Sequence, residues 1–250
     1  MLKPPICRVG GKSKLRKTII EMIPEHTCYI ELFFGAGWVY FGKENSKIEV
    51  INDIDKELIN LFRTIKYHAP EVERLLEYEF SGRDIFDEYK NCTLEHMTEI
   101  HRAIRFLYLI TQSFAGKGNN YGYGTTTKPG QQIFYKETLL ELRNRLKNTY
   151  VENLSFEKVI DKYDREHSFF FCDPPYFETA GYDNKFEEKH RLLANKLKEI
   201  NGEFLLTIND HPLARELYKE FNIKEVEVNY SLSRETKARG KYKELIITNY

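Results

Sequence analysis

Residues 168–176 read SFFFCDPPY, and this stretch decides the fold class. Its first five residues form a short aromatic run, which is typical of a strand buried on both faces of a sheet. The run ends at an acid, two prolines and a tyrosine, Asp173 to Tyr176. Because an open α/β sheet binds ligands beyond the carboxyl ends of its strands, this tetrapeptide lies where we expect a functional site.

Further strand candidates share the same apolar, β-branched or aromatic composition, and they lie at 28–33, 48–52, 203–208, 224–230 and 244–248. Amphipathic helical patterns are found at 14–22, 55–66, 187–200 and 212–220. Strand alternating with helix predicts an α/β fold whose mostly parallel sheet carries helices on both faces. No helical pattern separates the last two strands, so we expect an antiparallel pair at the C-terminal end.

Residues 67–149 interrupt this alternation. They contain helical patterns at 97–111 and 136–147, and between these lies a segment rich in glycine, threonine and asparagine. Such a segment supplies no core, so it is either a surface excursion or a loop that reads a ligand. We therefore expect two parts, 1–66 with 150–250 as the main domain and 67–149 as an inserted, mostly helical lobe.

The tetrapeptide Asp173–Tyr176 suits an exocyclic amine on a nucleic-acid base. The lone pair of such an amine is delocalised into the ring, which makes the amine a poor nucleophile. Asp173 can accept a hydrogen bond from it, and the Pro174 carbonyl can accept another, because proline fixes φ and removes a donor. Tyr176 offers a flat face for stacking, worth about 1–3 kcal/mol per base. A rigid turn with a buried tyrosine is the structural alternative.

A second motif, ELFFGAG at residues 31–37, leads from a strand into a glycine turn that opens a helix. The residues of interest in it are Glu31, Phe33, Gly35 and Gly37. Asp53 ends the next predicted strand, where an acid can accept hydrogen bonds from ribose hydroxyls. Two acids suit an adenosine cofactor with a cationic amino-acid tail better than they suit a polyphosphate. The pair therefore indicates S-adenosyl-L-methionine.

A third motif, GGKS at residues 10–13, invites comparison with a phosphate-binding loop. That loop needs a glycine at position 6, where this chain has Ile6, and a preceding strand, where it has two prolines. The spacing argues against a nucleoside triphosphatase. A plain N-terminal turn ahead of a helix is the structural alternative.

The chain carries 38 basic and 38 acidic side chains, which is a mild argument against nucleic-acid binding. The charges are unevenly distributed, however. Residues 1–20 contain six basic side chains and no acidic one, and a second basic cluster lies at 234–243. Two basic segments in a neutral chain are what a one-sided phosphate footprint requires. The candidates for DNA contacts are Lys12, Lys117, Arg234, Lys237, Arg239 and Lys241.

Taken in order, these motifs resemble those of the DNA adenine N6-methyltransferase family, which includes phage and restriction-modification enzymes. Residues 10–12 resemble its N-terminal motif, 31–37 its cofactor loop, 52–55 its ribose-binding motif and 173–176 its catalytic motif. The ending at 244–250 is also similar, so the resemblance spans nearly the whole chain. One departure is Arg8, which stands where the family commonly has an aromatic residue.

The resemblance implies a Rossmann-like S-adenosylmethionine-dependent methyltransferase sheet in which 67–149 is the target-recognition lobe. It implies an adenine flipped out of double-stranded DNA, with no metal. The implied catalytic residues are Asp173, Pro174 and Tyr176. The implied cofactor-binding residues are Arg8, Gly10, Gly11, Glu31, Phe33, Gly35, Gly37, Asp53, Phe156 and Asp173.

Several alternatives remain at this stage. The same tetrapeptide logic serves N4 of cytosine, adenine in RNA or a glutamine amide in protein, and a catalytically silent DNA-binding relative would keep the fold. A cognate restriction endonuclease is a further expected partner. No apolar run is long enough for a membrane span. The four scattered cysteines indicate reduced, structural thiols in a cytoplasmic, nucleoid-associated protein.

Overall fold

The computed structural model describes residues 1–8, 11–113, 116–124, 136–177, 185–229 and 241–250. The helices are α1 (Arg16–Met22), α2 (Lys56–Leu76), α3 (Arg83–Asn91), α4 (Glu99–Thr111), α5 (Lys136–Leu146), α6 (Phe156–Tyr163), α7 (Lys185–Glu199) and α8 (Pro212–Leu217). The strands are β1 (Cys28–Glu31), β2 (Ile48–Asn52), β3 (Thr149–Glu152), β4 (Ser168–Cys172), β5 (Glu203–Asn209), β6 (Asn222–Asn229) and β7 (Lys241–Thr248).

The strands form a seven-stranded sheet in the order β3-β2-β1-β4-β5-β7-β6. Strand β1 pairs in parallel with β2 and β4, and β4 pairs in parallel with β5. One register row therefore crosses the parallel part of the sheet, from Val50 through Ile30 and Phe170 to Phe204. All four side chains of this row are fully buried, which fits strands covered on both faces. The predicted α/β fold with a mostly parallel sheet is confirmed.

The C-terminal strands run antiparallel, as predicted. Strand β7 lies between β5 and β6 and pairs antiparallel with both. The register places Leu206 opposite Ile247 and Lys224 opposite Ile246. The last strand of the chain therefore lies next to β5, which carries Thr207 and Asn209.

Three elements were not among the predicted ones, namely α3, β3 and α6. Each is short, with nine, four and eight residues. Helix α3 begins after Gly82, which has no side chain to cap it, and α6 begins after Ser155, whose side chain makes no capping hydrogen bond. Short elements with weak start signals depend on tertiary packing more than on local propensity.

The described residues group into two compact units. One comprises Met1–Arg16, Gly35–Lys43 and Asp55–Asn153, and the other comprises Lys17–Phe34, Glu44–Ile54 and Leu154–Tyr250. Their bounds differ from the division at residues 66 and 150 that the sequence suggested. The assignment of 67–149 as a target-recognition lobe stays a prediction.

Within the first unit, α2 packs on α4 and α5. Asp55 caps α2 by accepting hydrogen bonds from the backbone N–H groups of Glu57 and Leu58. The helix continues ten residues beyond the predicted end at 66, through a kink at His68 whose φ is −129°. Pro70 lies just after the kink, where its missing N–H and its ring interrupt the helical hydrogen bonds.

Within the second unit, helices α6, α7 and α8 cover a core formed by the sheet. The core includes Phe170, Phe204 and Leu206 from the strands and Leu193 and Leu197 from α7. The all-buried strand β4 runs through this core and ends at Cys172. The residue that follows, Asp173, is thereby fixed at the carboxyl end of a central strand.

Candidate active site

Polar side chains gather at the carboxyl ends of the four parallel strands of the second unit. Glu31 ends β1, Asn52 ends β2, Asp173 follows β4 and Asn209 ends β5. Since these strands are parallel neighbours, their carboxyl ends lie at one edge of the sheet. This edge is the expected ligand-binding edge of an α/β sheet.

The Asp173 carboxylate is held by a neighbouring strand. The Thr207 hydroxyl on β5 donates a hydrogen bond to Asp173 Oδ1 over 2.9 Å. Thr207 is completely buried, whereas Asp173 is half-buried. The bond therefore fixes a carboxylate that sits at the boundary between the core and the strand-end edge.

The backbone that follows Asp173 is held at two points on either side of Tyr176. His190 Nε2, from α7, lies 2.9 Å from the Pro175 carbonyl oxygen. The Asn209 side-chain carbonyl accepts from the Phe177 N–H over 3.0 Å, and its amide donates to the Phe177 carbonyl over 3.3 Å. Tyr176 itself is half-buried and packs against the core of the second unit.

The Phe177 ring lies between two imidazole rings. It stacks on His190 at a centroid distance of 4.1 Å and on His211 at 4.8 Å, with interplanar angles of 30° and 21°. His211 also caps α8, because its Nδ1 accepts a hydrogen bond from the Leu213 N–H. The residue directly after the DPPY tetrapeptide is thus an aromatic anchor.

The environment of His190 keeps its imidazole neutral. Its side chain is only 1% exposed. Burial, opposed by the hydrogen bond to the Pro175 carbonyl and assisted by the nearby His211, lowers the pKa of His190 to about 4. A carbonyl only accepts hydrogen bonds, so the single proton of the neutral ring is on Nε2.

Asn52 ties together the backbone around the predicted cofactor loop. Its Nδ2 donates to the Leu32 carbonyl and its Oδ1 accepts from the Leu154 N–H, each over 2.9 Å. Its backbone carbonyl accepts from the Phe34 N–H over 2.8 Å. The side chain is 1% exposed, so this one residue joins the turn after β1 to the start of the segment that leads into α6.

The acids of this edge fit a ligand that carries a cation and hydroxyl groups. Glu31 is buried and accepts a hydrogen bond of 2.8 Å from the Tyr29 hydroxyl. Asp53 is half-buried and directly follows β2. Phe33, which is partly buried, packs against the buried Phe156 at 5.6 Å. Two carboxylates and an aromatic pair are a set of side chains that suits S-adenosyl-L-methionine.

The glycines of the ELFFGAG motif have the backbone that glycine favours. Gly35 has φ of 51° and Gly37 has φ of 74°. Apart from residue 35 itself and its two chain neighbours, no atom of the described residues lies within 4 Å of the position that a Cβ of residue 35 would take. A side chain at Gly35 would thus be excluded by backbone strain rather than by crowding, and the backbone there is open to an approaching ligand.

The N-terminal segment has a structural role within the first unit. Arg8 Nη2 lies 2.6 Å from Asp55 Oδ2, and its guanidinium lies 5.5 Å from the centroid of the Phe106 ring. A Cβ at Gly11 would approach the Trp38 ring to 2.9 Å. Lys12 is 3% exposed, and its contact with DNA or with the target base stays a prediction. Gly10 lies outside the described residues.

Within the lobe sequence, Lys117 is exposed between two glycines of positive φ, Gly116 and Gly118. Nearby in the chain, Tyr123 is 77% exposed and its ring lies 5.3 Å from the Arg83 guanidinium. An exposed cation beside aromatic rings suits a nucleic-acid surface. The predicted contacts Arg234, Lys237 and Arg239 lie outside the described residues, and so does the side chain of Lys241.

All four cysteines are free thiols. Burial raises the pKa of Cys28 to about 11, and burial together with the Asp173 carboxylate raises the pKa of Cys172 further above its usual value. These two are poor nucleophiles, since the thiolate is the reactive form. In the described part of the chain, no group of three or more His, Cys, Asp or Glu side chains could hold a metal ion, and no helix is long and apolar enough to cross a membrane.

Four residues that hold the tetrapeptide were not predicted from the sequence, namely His190, Thr207, Asn209 and His211. One signal could have located two of them. Residues 209–211 read NDH directly after a predicted strand, and polar residues at a strand end were the argument used for Asp173. His190 lies inside a helical pattern without any local feature that distinguishes it.

The chain is similar to known proteins over nearly its whole length. A family model described as D12 class N6 adenine-specific DNA methyltransferase matches residues 9–232. A protein of Lactococcus lactis subsp. cremoris, named Type II methyltransferase M1.LlaDCHI, is 31% identical over 100% of this chain and 96% of its own length. The DNA adenine methylase of Escherichia coli K12 is 27% identical over 95% of this chain and 91% of its own length. A conserved hypothetical protein from Streptococcus pyogenes, solved as a structure, has a TM-score of 0.40 and 12% identity, with 94% and 95% coverage.

Proposed function

This chain belongs to the D12 class N6 adenine-specific DNA methyltransferase family, and we propose that Asp173, Pro174 and Tyr176 carry its chemistry. As a member of this family it is an adenine-specific DNA methyltransferase. The proposed reaction transfers the methyl group of S-adenosyl-L-methionine to N6 of an adenine that is flipped out of double-stranded DNA.

One observation carries the assignment of the catalytic residues. Asp173 follows the central strand β4, and its carboxylate is oriented by the Thr207 hydroxyl at 2.9 Å. The backbone around Tyr176 is fixed by hydrogen bonds at Pro175 and Phe177. Orientation is the main contribution that a protein can make to a displacement reaction, and well-aligned systems gain about 7–11 kcal/mol from it.

The proposed roles follow from the acceptor groups of this segment. Asp173 accepts one N–H of the target amine and the Pro174 carbonyl accepts the other, which draws the nitrogen lone pair out of conjugation with the ring. Tyr176 stacks on the flipped base. When bound, S-adenosyl-L-methionine would supply a methyl carbon bonded to a cationic sulfur. The amine nitrogen would bond to this carbon while the carbon–sulfur bond breaks, and the neutral thioether S-adenosylhomocysteine would leave. The methylated amine would then be cationic and would lose a proton to solvent, so no strong base is needed early.

The residues of the predicted cofactor motifs are proposed to hold the methyl donor. Glu31 binds the cationic amino-acid tail and Asp53 the ribose hydroxyls, while Phe33 and Phe156 pack on the adenine. Backbone at Gly35 and Gly37 approaches the ligand closely. Arg8, Gly10 and Gly11 complete the proposed set. Arg8 forms an ion pair with Asp55, the residue that caps α2. This pair supports an indirect contribution of Arg8 to donor binding, because Asp55 also belongs to the predicted ribose-binding motif at 52–55. Metal is not part of the proposal.

Double-stranded DNA is the proposed partner. The basic side chains at Lys117, Arg234, Lys237, Arg239 and Lys241 are proposed to contact phosphates, and the exposed Tyr123 with Arg83 supports a nucleic-acid surface in the lobe. The buried Lys12 is better suited to a role near the target base than to a phosphate contact. The name Type II methyltransferase, carried by the Lactococcus relative, supports a cognate restriction endonuclease as a second partner. Action on DNA supports a cytoplasmic, nucleoid-associated location.

The experiment is methyl transfer from labelled S-adenosyl-L-methionine to unmethylated genomic DNA, followed by nucleoside analysis. We expect the label in N6-methyladenine, and mapping of the modified sites gives the recognition sequence. Asp173→Ala should abolish turnover while the affinity for S-adenosyl-L-methionine changes little. Label in N4-methylcytosine, in RNA or in protein would contradict the proposed target. Cofactor binding without transfer to any substrate would indicate a silent relative.

A further inference from the structure

We propose that His190 and Asn209 are positioning residues, which hold the segment Asp173–Tyr176 in its reactive conformation and act on the methyl-transfer step rather than on donor affinity. This inference rests on the proposed function, because it takes from there the roles of Asp173, Pro174 and Tyr176. Neither residue is expected to touch the base or the donor.

The two side chains fix the main chain on both sides of Tyr176. His190 bonds the carbonyl one residue before it, at 2.9 Å, and Asn209 bonds both the N–H and the carbonyl of the residue after it, at 3.0 and 3.3 Å. They come from different elements, α7 and the end of β5. A tyrosine whose two flanking peptide groups are tied to separate elements has little freedom to tilt.

His190 contributes in a second way, through its ring. It stacks on Phe177 at 4.1 Å while His211 stacks on the opposite side at 4.8 Å. The three rings form a column beside the tetrapeptide. Phe177 is 7% exposed, so this column is an extension of the core and not a surface feature. We call His190, Asn209, His211 and Phe177 together the loop clamp.

The hydrogen bond of His190 is shielded from water and has a fixed direction. The side chain is 1% exposed, so water has little access to replace the donor when it is removed. The lowered pKa keeps the ring neutral at neutral pH, and the proton on Nε2 then points at the Pro175 carbonyl. Loss of this donor leaves a carbonyl next to Tyr176 without that partner, and the peptide can rotate.

A small displacement at this point matters because the chemistry depends on alignment. Pro174 and Tyr176 are both within two residues of a clamped peptide group. A misplacement of about 1 Å can lower the rate of an aligned reaction by about 10²-fold. The proposed donor contacts are Glu31, which ends β1, and Asp53, which follows β2. Donor binding should therefore change far less.

The test compares three variants of the clamp with a matched control. His190→Phe keeps an aromatic ring and removes the donor, His190→Gln keeps a donor on a side chain of similar reach, and Asn209→Ala removes the second attachment. The control is His26→Phe. His26 also hydrogen-bonds a proline carbonyl, at 2.7 Å, and packs on a phenylalanine, Phe169, but it precedes β1 at the opposite end of the strands.

Three quantities are measured for each full-length variant: the single-turnover rate constant on DNA, the Kd for S-adenosyl-L-methionine and the Tm. We expect His190→Phe and Asn209→Ala each to lower the rate constant by about 10²-fold with Kd within about threefold. His190→Gln should recover most of the rate. The double variant should lose little more than either single one, because both act on one segment.

Two results would overturn the proposal. One is a rate loss in His190→Phe no larger than that in His26→Phe at equal loss of Tm, and the other is a Kd that rises as much as the rate falls. A wild-type protein that methylates no nucleic acid would contradict the proposed function instead. Hydrogen exchange of the Phe177 amide then tests the clamp alone. It should be protected in the wild type and exchange quickly in Asn209→Ala, and equal exchange would refute the clamp.

Discussion

Replacing Thr207 by valine removes the hydroxyl that orients Asp173 and almost nothing else. The two side chains have nearly the same shape, and Thr207 is completely buried in β5, where an apolar residue is well tolerated. The hydrogen bond that is lost spans 2.9 Å and ends on a carboxylate. Bonds to charged groups contribute about 1.5–3 kcal/mol. If the carboxylate needs this bond to meet the amine, the rate should fall by about 10- to 100-fold, at 1.36 kcal/mol per tenfold.

The assay is single-turnover methyl transfer with saturating donor, measured beside the Kd for S-adenosyl-L-methionine. We expect a lower rate constant and an almost unchanged Kd. Thr248→Val is the matched control, because Thr248 is also buried in the same sheet and donates one bond, of 3.0 Å, to the Tyr250 carbonyl. An orienting role of Thr207 is refuted if Thr207→Val keeps the wild-type rate constant within about twofold, or if the control loses as much.

Three further predictions concern stability. Asn52→Ala leaves the buried Leu32 carbonyl and the half-buried Leu154 N–H without this partner, so urea denaturation should show a loss of about 2–6 kcal/mol in the free energy of unfolding. A loss below about 1 kcal/mol would contradict the bridging role. His190 is protonated in the unfolded state near pH 6.5 and in the folded state only near pH 4. The contribution of the neutral His190 to the free energy of unfolding should therefore be fully present above pH 6.5 and fall by about 3 kcal/mol as the pH drops to 4. His190→Gln should remove most of this part of the pH dependence. Gly116→Ala places a Cβ 2.1 Å from the Cys7 carbonyl oxygen at a φ of 67°, so the Tm should drop sharply. Gly118→Ala has a similar φ of 71° but only an ordinary contact of 3.6 Å to Ile110 Cδ1, so its Tm should drop less.

Much of the fold could be predicted because its signals are local. The aromatic run at 168–172 and its neighbours indicated central strands, and the missing helix before the last strand indicated an antiparallel pair. Both predictions are confirmed by the sheet order. The short elements α3, β3 and α6 were not predicted, since their few residues are held by packing rather than by periodicity. The continuation of α2 past Pro70 was not predicted either, because a proline ordinarily ends a helix.

The sequence also indicated which residues stand at the strand ends, since a strand and the residue after it are adjacent in the chain. Glu31, Asp53 and Asp173 were found in this way, and their functional roles stay predictions. Arg8 was expected near the cofactor because of its place beside a motif. That role stays a prediction, and the structure adds that Arg8 pairs with Asp55, 47 positions away, within the first unit.

The sequence by itself determined the class of sheet, the order of the motifs and the acid at the end of β4, because periodicity and strand ends are written in consecutive residues. Only the tertiary structure decided what holds that acid and the tyrosine beside it. Thr207, Asn209 and His190 lie 34, 32 and 15 positions from their partners. Many polar residues are compatible with such contacts in a chain, and the packing of β5 and α7 beside β4 selects the ones that form.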